Sequence, residues 1–249
     1  MTRPQLSVVL ITRNEAAHLR ELLPLLAWAD EVIVLDSGST DDTVAIAKEY
    51  RAVAQVRPFD TFADQRNAAC DLARGEWILS IDADERPSTG MPAEIRRHME
   101  TTNLTAFRIR IKSHIFGHPM AFGGTQDDRP IRLFRKDHAC WEGSVHEVLR
   151  VDGEVGHLAT TLTHYTLPTL DAFCEKVHRY TALEAKSRCD AGKQAIWGSG
   201  LYAACREIFR RLIWKQGWRD GPIGWAFCML SGWSEWELIR KHRRLSQGS

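Results

Sequence analysis

The sequence predicts an open α/β fold, with a mostly parallel central sheet flanked by helices and a helical region after it. Three observations carry this expectation. Short Val- and Ile-rich runs recur early, they are apolar throughout instead of alternating, and helical patterns separate them. Near-continuous hydrophobicity suits strands covered on both faces. Strand–helix alternation over about 85 residues suits parallel strands joined by crossovers.

The strands are Leu6–Ile11 (LSVVLI), Glu31–Asp36 (EVIVLD) and Trp77–Asp82 (WILSID), with a weaker one over Ala54–Phe59. Helical patterns cover Glu15–Trp28, Asp41–Tyr50 and Phe62–Arg74. Ser39, Thr40 and Asp41 offer side-chain caps for the second of these. After Pro87 the pattern alternates. Ala106–Ile115 reads as a half-exposed strand and Pro130–Arg135 as another, with the Gly- and Pro-containing loop GHPMAFGGTQDDR between them. From Thr169 the chain reads as helical to its end, with a break at Gly217–Pro222.

Composition narrows the function classes. A chain of 249 residues can bury one sizeable core or one domain with an appendage. A 44% hydrophobic and 26% charged composition excludes a disordered chain. A net charge of +1 excludes a nucleic-acid binder held by a general basic field. The six cysteines show no CxxC spacing and read as reduced, mostly buried thiols of a cytosolic protein. The opening MTRPQLSVVLI lacks the pattern of a signal peptide, and no apolar run reaches the roughly 18–20 residues of a spanning helix. The expectation is a cytoplasmic protein.

Ligands of open parallel sheets bind beyond the carboxyl ends of the strands. Three polar clusters fall there: Thr12-Arg13-Asn14-Glu15, Asp36-Ser37-Gly38-Ser39-Thr40-Asp41, and Asp82-Ala83-Asp84-Glu85. One such cluster alone is an ordinary cap or solvated turn; three at one edge predict a site. Asp82 and Asp84, two apart at a strand end, can both reach one hard cation. Mg²⁺ or Mn²⁺ suits oxygen ligands without a Cys or a His pair. A divalent ion held by so few carboxylates completes its shell with water and substrate phosphates, which points to a nucleoside diphosphate.

LSVVLITRNE, EVIVLDSGSTDDT, the helix segment Gln65-Arg66-Asn67 and ARGEWILSIDADER, in this order and spacing, resemble family 2 glycosyltransferases of the GT-A (nucleotide-diphospho-sugar transferase) fold. RPIRLFRKDHACWEGSVHE, VDGEVG and LTHYT are similar to a narrower branch, bacterial lipopolysaccharide-core glucosyltransferases of the WaaE/KdtX type. The resemblance implies a catalytic domain over residues 1–168, with a nucleotide-binding half (1–90) and an acceptor half (91–168), then a helical region over 169–249. It implies that Asp36 accepts a hydrogen bond from uracil N3, and that Thr12, Asn14, Glu15 and Ser37 border base and ribose. Arg66 would reach the diphosphate, Asp82 the ribose or a metal-bound water, and Asp84 the metal directly. His164, in LTHYT, is a candidate further metal ligand.

Inverting transfer needs a base for the acceptor hydroxyl. Asp127, Asp128, His146 and Glu147 are the candidates, and the resemblance favours Glu147, with Asp128 next. Arg132 and Arg135 are expected to share one face of their strand and to meet phosphate. The last fifty residues carry nine Lys/Arg against four Asp/Glu and five of the nine tryptophans. In GLYAACREIFRRLIWKQGW, Leu201, Cys205, Ile208, Phe209, Leu212 and Ile213 recur at helical spacing beside basic residues. Such a helix either packs on the catalytic domain or lies on the inner membrane surface. The resulting expectation is an inverting hexosyltransferase with Mg²⁺ or Mn²⁺, moving glucose from a UDP-sugar to a lipid-linked lipopolysaccharide inner-core acceptor. A metal-dependent nucleotidyltransferase and a non-catalytic sugar-nucleotide binder are the rivals. The former lacks its usual Gly-rich basic loop after strand one.

Overall fold

Val8, Val9 and Leu10 are consecutive and all buried, so the first strand has no solvent face. The computed structural model, which describes residues 5–126, 128–143, 147–167, 169–193 and 199–247, places this strand inside a parallel group. β1 (Leu6–Thr12), β2 (Glu31–Asp36), β3 (Val53–Val56) and β4 (Trp77–Ser80) stand in the spatial order β3-β2-β1-β4. Beyond β4 the pairing turns antiparallel. β8 (Ile131–Arg135) pairs with β4, and β6 (Ala106–Ile115), β11 (Val155–Leu167) and β5 (Glu85–Pro87) follow in that order. β7 (His118–Pro119) pairs with the end of β6, while β9 (Ala139–Glu142) and β10 (Val148–Val151) form a separate hairpin.

Alternate side chains of the same strands feed two cores. Val8, Leu10, Val34 and Leu79 pack with Leu19 and Leu22 of α1 (Ala16–Leu22), Ile46 of α2 (Thr43–Glu49) and Ile95 of α4 (Met91–Thr101). Val9, Ile33, Leu35 and Ile78 pack with Ala63 and Ala69 of α3 (Phe62–Leu72), and with Trp141 and Leu149 of the hairpin. Each fully buried Leu, Ile or Phe contributes about 1.5–3 kcal/mol relative to exposure.

Local chemistry trims the expected elements. The first helix gives way at Leu23–Leu26 to a 3-10 turn carrying Pro24, which lacks an amide hydrogen for the helical ladder. The second starts at Thr43, whose N–H donates to Asp41 Oδ1 at 3.1 Å, while Asp41 Oδ2 accepts from Ala16 N. β4 stops at Ser80, two residues short of Asp82, and the Glu85 N–H closes a turn on the Asp82 carbonyl at 3.0 Å. Asp82 and Asp84 therefore stand in a turn and not in a strand.

The chain divides into two compact units, residues 1–111 with 129–164, and residues 112–128 with 165–249. The loop after β6 thus groups with the helices, whereas the boundary expected at residue 168 left it with the sheet. The second unit contains α5 (Leu170–Asp190), α6 (Ser199–Phe209), a π-helical turn (Arg210–Trp214), a 3-10 turn (Gly217–Asp220) and α7 (Gly221–Gln247). Thr169 Oγ1 caps α5 by accepting from Ala172 N at 3.2 Å. Gly232 lets α6 and α7 approach: an added Cβ would collide with Ile208 and lie 2.9 Å from Ala204 O. Among the described residues no helix is long and apolar enough to cross a membrane. All six cysteines are free thiols; Cys228 is buried but Cys140 and Cys205 are exposed, so the expectation of mostly buried thiols holds only in part.

Candidate active site

Glu85 sits one step beyond the β4 turn and is fully buried. Its Oε2 accepts from the Asp82 N–H at 3.0 Å, which fixes the turn. Arg132, on β8, extends one terminal nitrogen between the two acids, 2.7 Å from Asp82 Oδ2 and 2.6 Å from Glu85 Oε1. From α3, Arg66 donates to Asp82 Oδ1 at 2.9 Å and to Ser80 Oγ at 3.2 Å. Burial opposes ionisation of Asp82, but the charges of Arg132 and Arg66 outweigh it and hold the carboxyl far below the usual range. Glu85 goes the other way. Burial pushes its pKa up to about 7 in spite of the Arg132 charge, with the Asp82 charge adding to the rise. The cation that lets these acids stand together is the protein's own.

Both oxygens of Asp82, expected to help hold a metal, already accept from guanidinium groups, so an ion there would share them with Arg66 and Arg132. The same pairing separates Arg132 from Arg135. Residues three apart on a strand face opposite sides, and Arg135 instead pairs with Glu76 and stacks 4.6 Å from the Trp77 ring centroid. Arg86 braces the turn through the Ala83 carbonyl at 2.7 Å and pairs with Glu21 at 2.8 Å.

Asp84 has a different environment. In the antiparallel register of β5 with β11, His164 lies opposite Glu85, and its Nε2 reaches Asp84 Oδ2 at 3.0 Å. Burial disfavours the imidazolium, but the hydrogen bond and charge of Asp84, with Glu85 and Asp82 behind it, overcome this and raise the pKa. Glu15 is pushed up to about 7, first by burial and then by the charges of Asp84, Asp41 and Asp82; Arg86 works against this.

The loop after β2 is braced by Asp36, which is fully buried. Oδ1 accepts from the Gly38 and Ser39 N–H groups at 2.9 and 2.7 Å, and Oδ2 from the Thr12 and Ser39 hydroxyls at 3.0 and 2.5 Å. So engaged, Asp36 has a structural role that the expected uracil contact did not include: it holds the loop after β2 in place. Asn14, at φ +57°, accepts from Thr40 N at 2.8 Å and donates its own N–H to Ser39 Oγ at 2.7 Å, tying the first loop to the second. Ser37 is partly exposed, and its hydroxyl accepts from Gln65 Nε2 at 3.1 Å.

Glu147 joins the cluster through Arg66, whose Nε lies 3.5 Å from Glu147 Oε1. The same guanidinium stacks 4.8 Å from the Trp141 ring centroid. Asn67, next along α3, clamps the Trp141 backbone: its Oδ1 accepts from Trp141 N and its Nδ2 donates to Trp141 O, both at 2.9 Å. Asp128 is exposed and belongs to the second unit. His146 and Asp127 lie outside the described residues. Sequence reasoning missed Trp141 and Asn67 as supports of the site, and Glu85 as the second partner of Arg132. Their only trace was position: Asn67 beside Arg66, and Trp141 six residues before Glu147.

Asp84 and His164 have the donor chemistry that a divalent ion would need. They converge from the turn before β5 and from β11, and both remain partly open to solvent. Among the described residues no group of three or more Asp, Glu, His or Cys side chains is placed to hold a metal ion.

A family model described as "Glycosyl transferase family 2" matches residues 7–135, from β1 through the last residue of β8. The chain belongs to glycosyltransferase family 2. It is similar to the lipopolysaccharide core biosynthesis glycosyltransferase LpsC of Rhizobium meliloti (strain 1021), 26% identical over 90% of this chain and 86% of that protein. An uncharacterized glycosyltransferase of Rickettsia bellii (strain RML369-C) is 30% identical over 97% of this chain and 87% of its own length. Among solved structures, residues 1–349 of S. aureus TarS in complex with UDP-GlcNAc align with 98% of this chain and 92% of that one, at 16% identity and a TM-score of 0.48. For this family 2 glycosyltransferase the sheet order described above is the GT-A arrangement, as expected, and the nucleotidyltransferase alternative falls away.

Proposed function

We propose that this family 2 glycosyltransferase moves a hexose, with glucose as the first candidate, from a UDP-sugar onto a lipid-linked acceptor of the lipopolysaccharide inner core, with inversion at the anomeric carbon. One observation supports this above the rest. Arg66 bridges Asp82 and Glu147, which puts a candidate base beside the turn whose next acid, Asp84, meets His164. The similarity to LpsC supports the acceptor class.

In this reading Asp84 and His164 hold the divalent ion, and the imidazole in the donor set favours Mn²⁺ over Mg²⁺. When bound, the ion neutralises charge on the departing diphosphate. The chain's own residues do the rest. Glu147 Oε accepts the proton of the attacking acceptor hydroxyl. Arg66 holds Glu147 and Asp82 in one frame, and Arg132 with Glu85 keeps the Asp82 turn from shifting. Thr12, Asn14, Glu15 and Ser37 border base and ribose. The location is the cytoplasmic face of the inner membrane, where a lipid-linked acceptor is met.

A panel of sugar nucleotides, assayed on truncated lipopolysaccharide with and without Mn²⁺, tests the proposal. Turnover should peak with one UDP-hexose and vanish in EDTA. Asp84→Ala and His164→Ala should each raise the Mn²⁺ requirement, and Glu147→Gln should lower kcat about 10²–10⁴-fold with little change in donor binding. Turnover that survives both EDTA and Asp84→Ala overturns the metal role. Donor binding without turnover on any acceptor supports the non-catalytic reading instead.

A further inference from the structure

The segment Ser199–Trp214 is inside-out. On the covered side stand Ala203, Ala204, Glu207, Ile208 and Leu212, mostly small, with one acid among them. The larger apolar side chains face solvent: Leu201 is 68% exposed, Tyr202 69%, Phe209 59%, Ile213 51% and Trp214 76%. Leu201, Phe209 and Ile213, with Cys205 among them, follow the spacing of one helical stripe, and Tyr202 and Trp214 lie on the stripe beside it. A helix stabilised only by its own core would be patterned the other way round. Isolated exposed apolar residues need no explanation, but a whole stripe does. In the neighbouring elements Trp218, before α7, and Trp225 and Met229, on α7, are also each at least half exposed.

The charge beside the stripe says what covers it. Residues 199–219 contain five Lys/Arg and one acid, Glu207. Glu207 is buried and turned inward, where it accepts from both Arg210 and Arg211. The outward side is left with basic groups only, Arg206 among them and Arg219 at its far end. Large apolar side chains rich in Trp, flanked by Arg and Lys, match the headgroup boundary of an anionic bilayer: the rings and aliphatic groups enter the acyl edge and the guanidinium groups meet phosphate. We propose that the outward face of Leu201–Trp218 is a docking surface for an anionic lipid membrane, along which the segment lies flat. No residue of the candidate active site takes part, so the proposal stands whether or not the transferase reading holds.

Vesicle flotation of the full chain tests it, with phosphatidylglycerol–phosphatidylethanolamine vesicles against phosphatidylcholine vesicles. The expected result is co-flotation with the anionic vesicles at low salt and weakening as salt rises. The triple variant Phe209→Ser, Ile213→Ser, Trp214→Ser should lose on the order of tenfold or more of the partitioning. Arg206→Glu with Arg219→Glu should lose the preference for anionic lipid. All of these side chains are exposed, so a thermal melt should show the variants folded. Brominated lipids offer a readout on the unaltered chain, since they should quench a tryptophan component that Trp214→Phe removes. Full-length protein that stays in the aqueous fraction at low salt overturns the proposal, as does a triple variant that floats unchanged. A dimer in solution that the triple variant converts to monomer also overturns it, because the stripe then covers a second copy of the chain.

Discussion

Arg132 is the residue on which the candidate site turns. It neutralises one fully buried acid and one partly open one at the same time, with one nitrogen within 2.7 Å of both. Removing one partner of a buried ion pair leaves an uncompensated charge, which costs about 3–5 kcal/mol. Arg132→Met should therefore lower the urea midpoint steeply, and adding Glu85→Gln should restore part of the loss, a coupling that a double-mutant cycle measures. An additive double variant would show that Arg132 acts through packing alone. The acids themselves were legible in the sequence because they follow a buried strand. Their counterion was not, because Arg132 lies 47 residues beyond Glu85 and reaches it only through sheet pairing. The same limit explains Asp36: its place at a strand end was readable, but the four donors folded back onto it were not.

Among the elements, β1, β2 and β4 were legible because the residues that form them are also the ones buried on both faces. The edge strand β3, with two of its four residues Val, gave a weak pattern, and the short β5, β9 and β10 gave none that could be told from loop. Stability at the amino ends of the parallel strands comes from a feature no periodicity marks. Gly75 N donates to Ser7 Oγ at 2.9 Å and to Glu31 Oε1 at 3.2 Å, and an added Cβ would lie 2.8 Å from the Ser7 backbone nitrogen. Gly75→Ala must push β1 and the start of β4 apart. An expected loss of about 1–3 kcal/mol follows from overpacking at a site where backbone faces backbone. A chemical melt checks it, and an unchanged midpoint would show that the strand ends slide freely. In the second unit the sequence marked the helical spacing of Leu201 to Ile213 but could not say which stripe faces inward; the structure splits those residues between both faces.

For the whole molecule, the acids respond to pH in opposite senses. Burial lifts Glu15 to about 7 from an ordinary value of 4.5, so between those values the folded chain holds a proton that the unfolded chain releases. Its contribution is thus favourable at low pH and is lost as pH rises through 7. Burial works against ionisation of Asp82, but Arg132 and Arg66 hold it below its ordinary value, so its contribution is present at neutral pH and lost on acidification. Glu15→Gln should consequently stabilise the metal-free protein more at pH 8 than at pH 5, as read from urea midpoints. An equal gain at both values would show that Glu15 titrates normally.

The placement of β8 also bears on when the charge cluster can be completed as the chain is made. Strands β1 to β4 leave the ribosome together with Asp82 and Glu85, but the guanidinium that both acids share is translated only after two further strands, β6 and β7. A nascent chain halted before Arg132 can pair its parallel strands, yet carries two acids at their carboxyl edge without this counterion. Asp82 has Arg66 from the start, but the contact that ties it to Glu85 through Arg132 forms only when β8 lies beside β4.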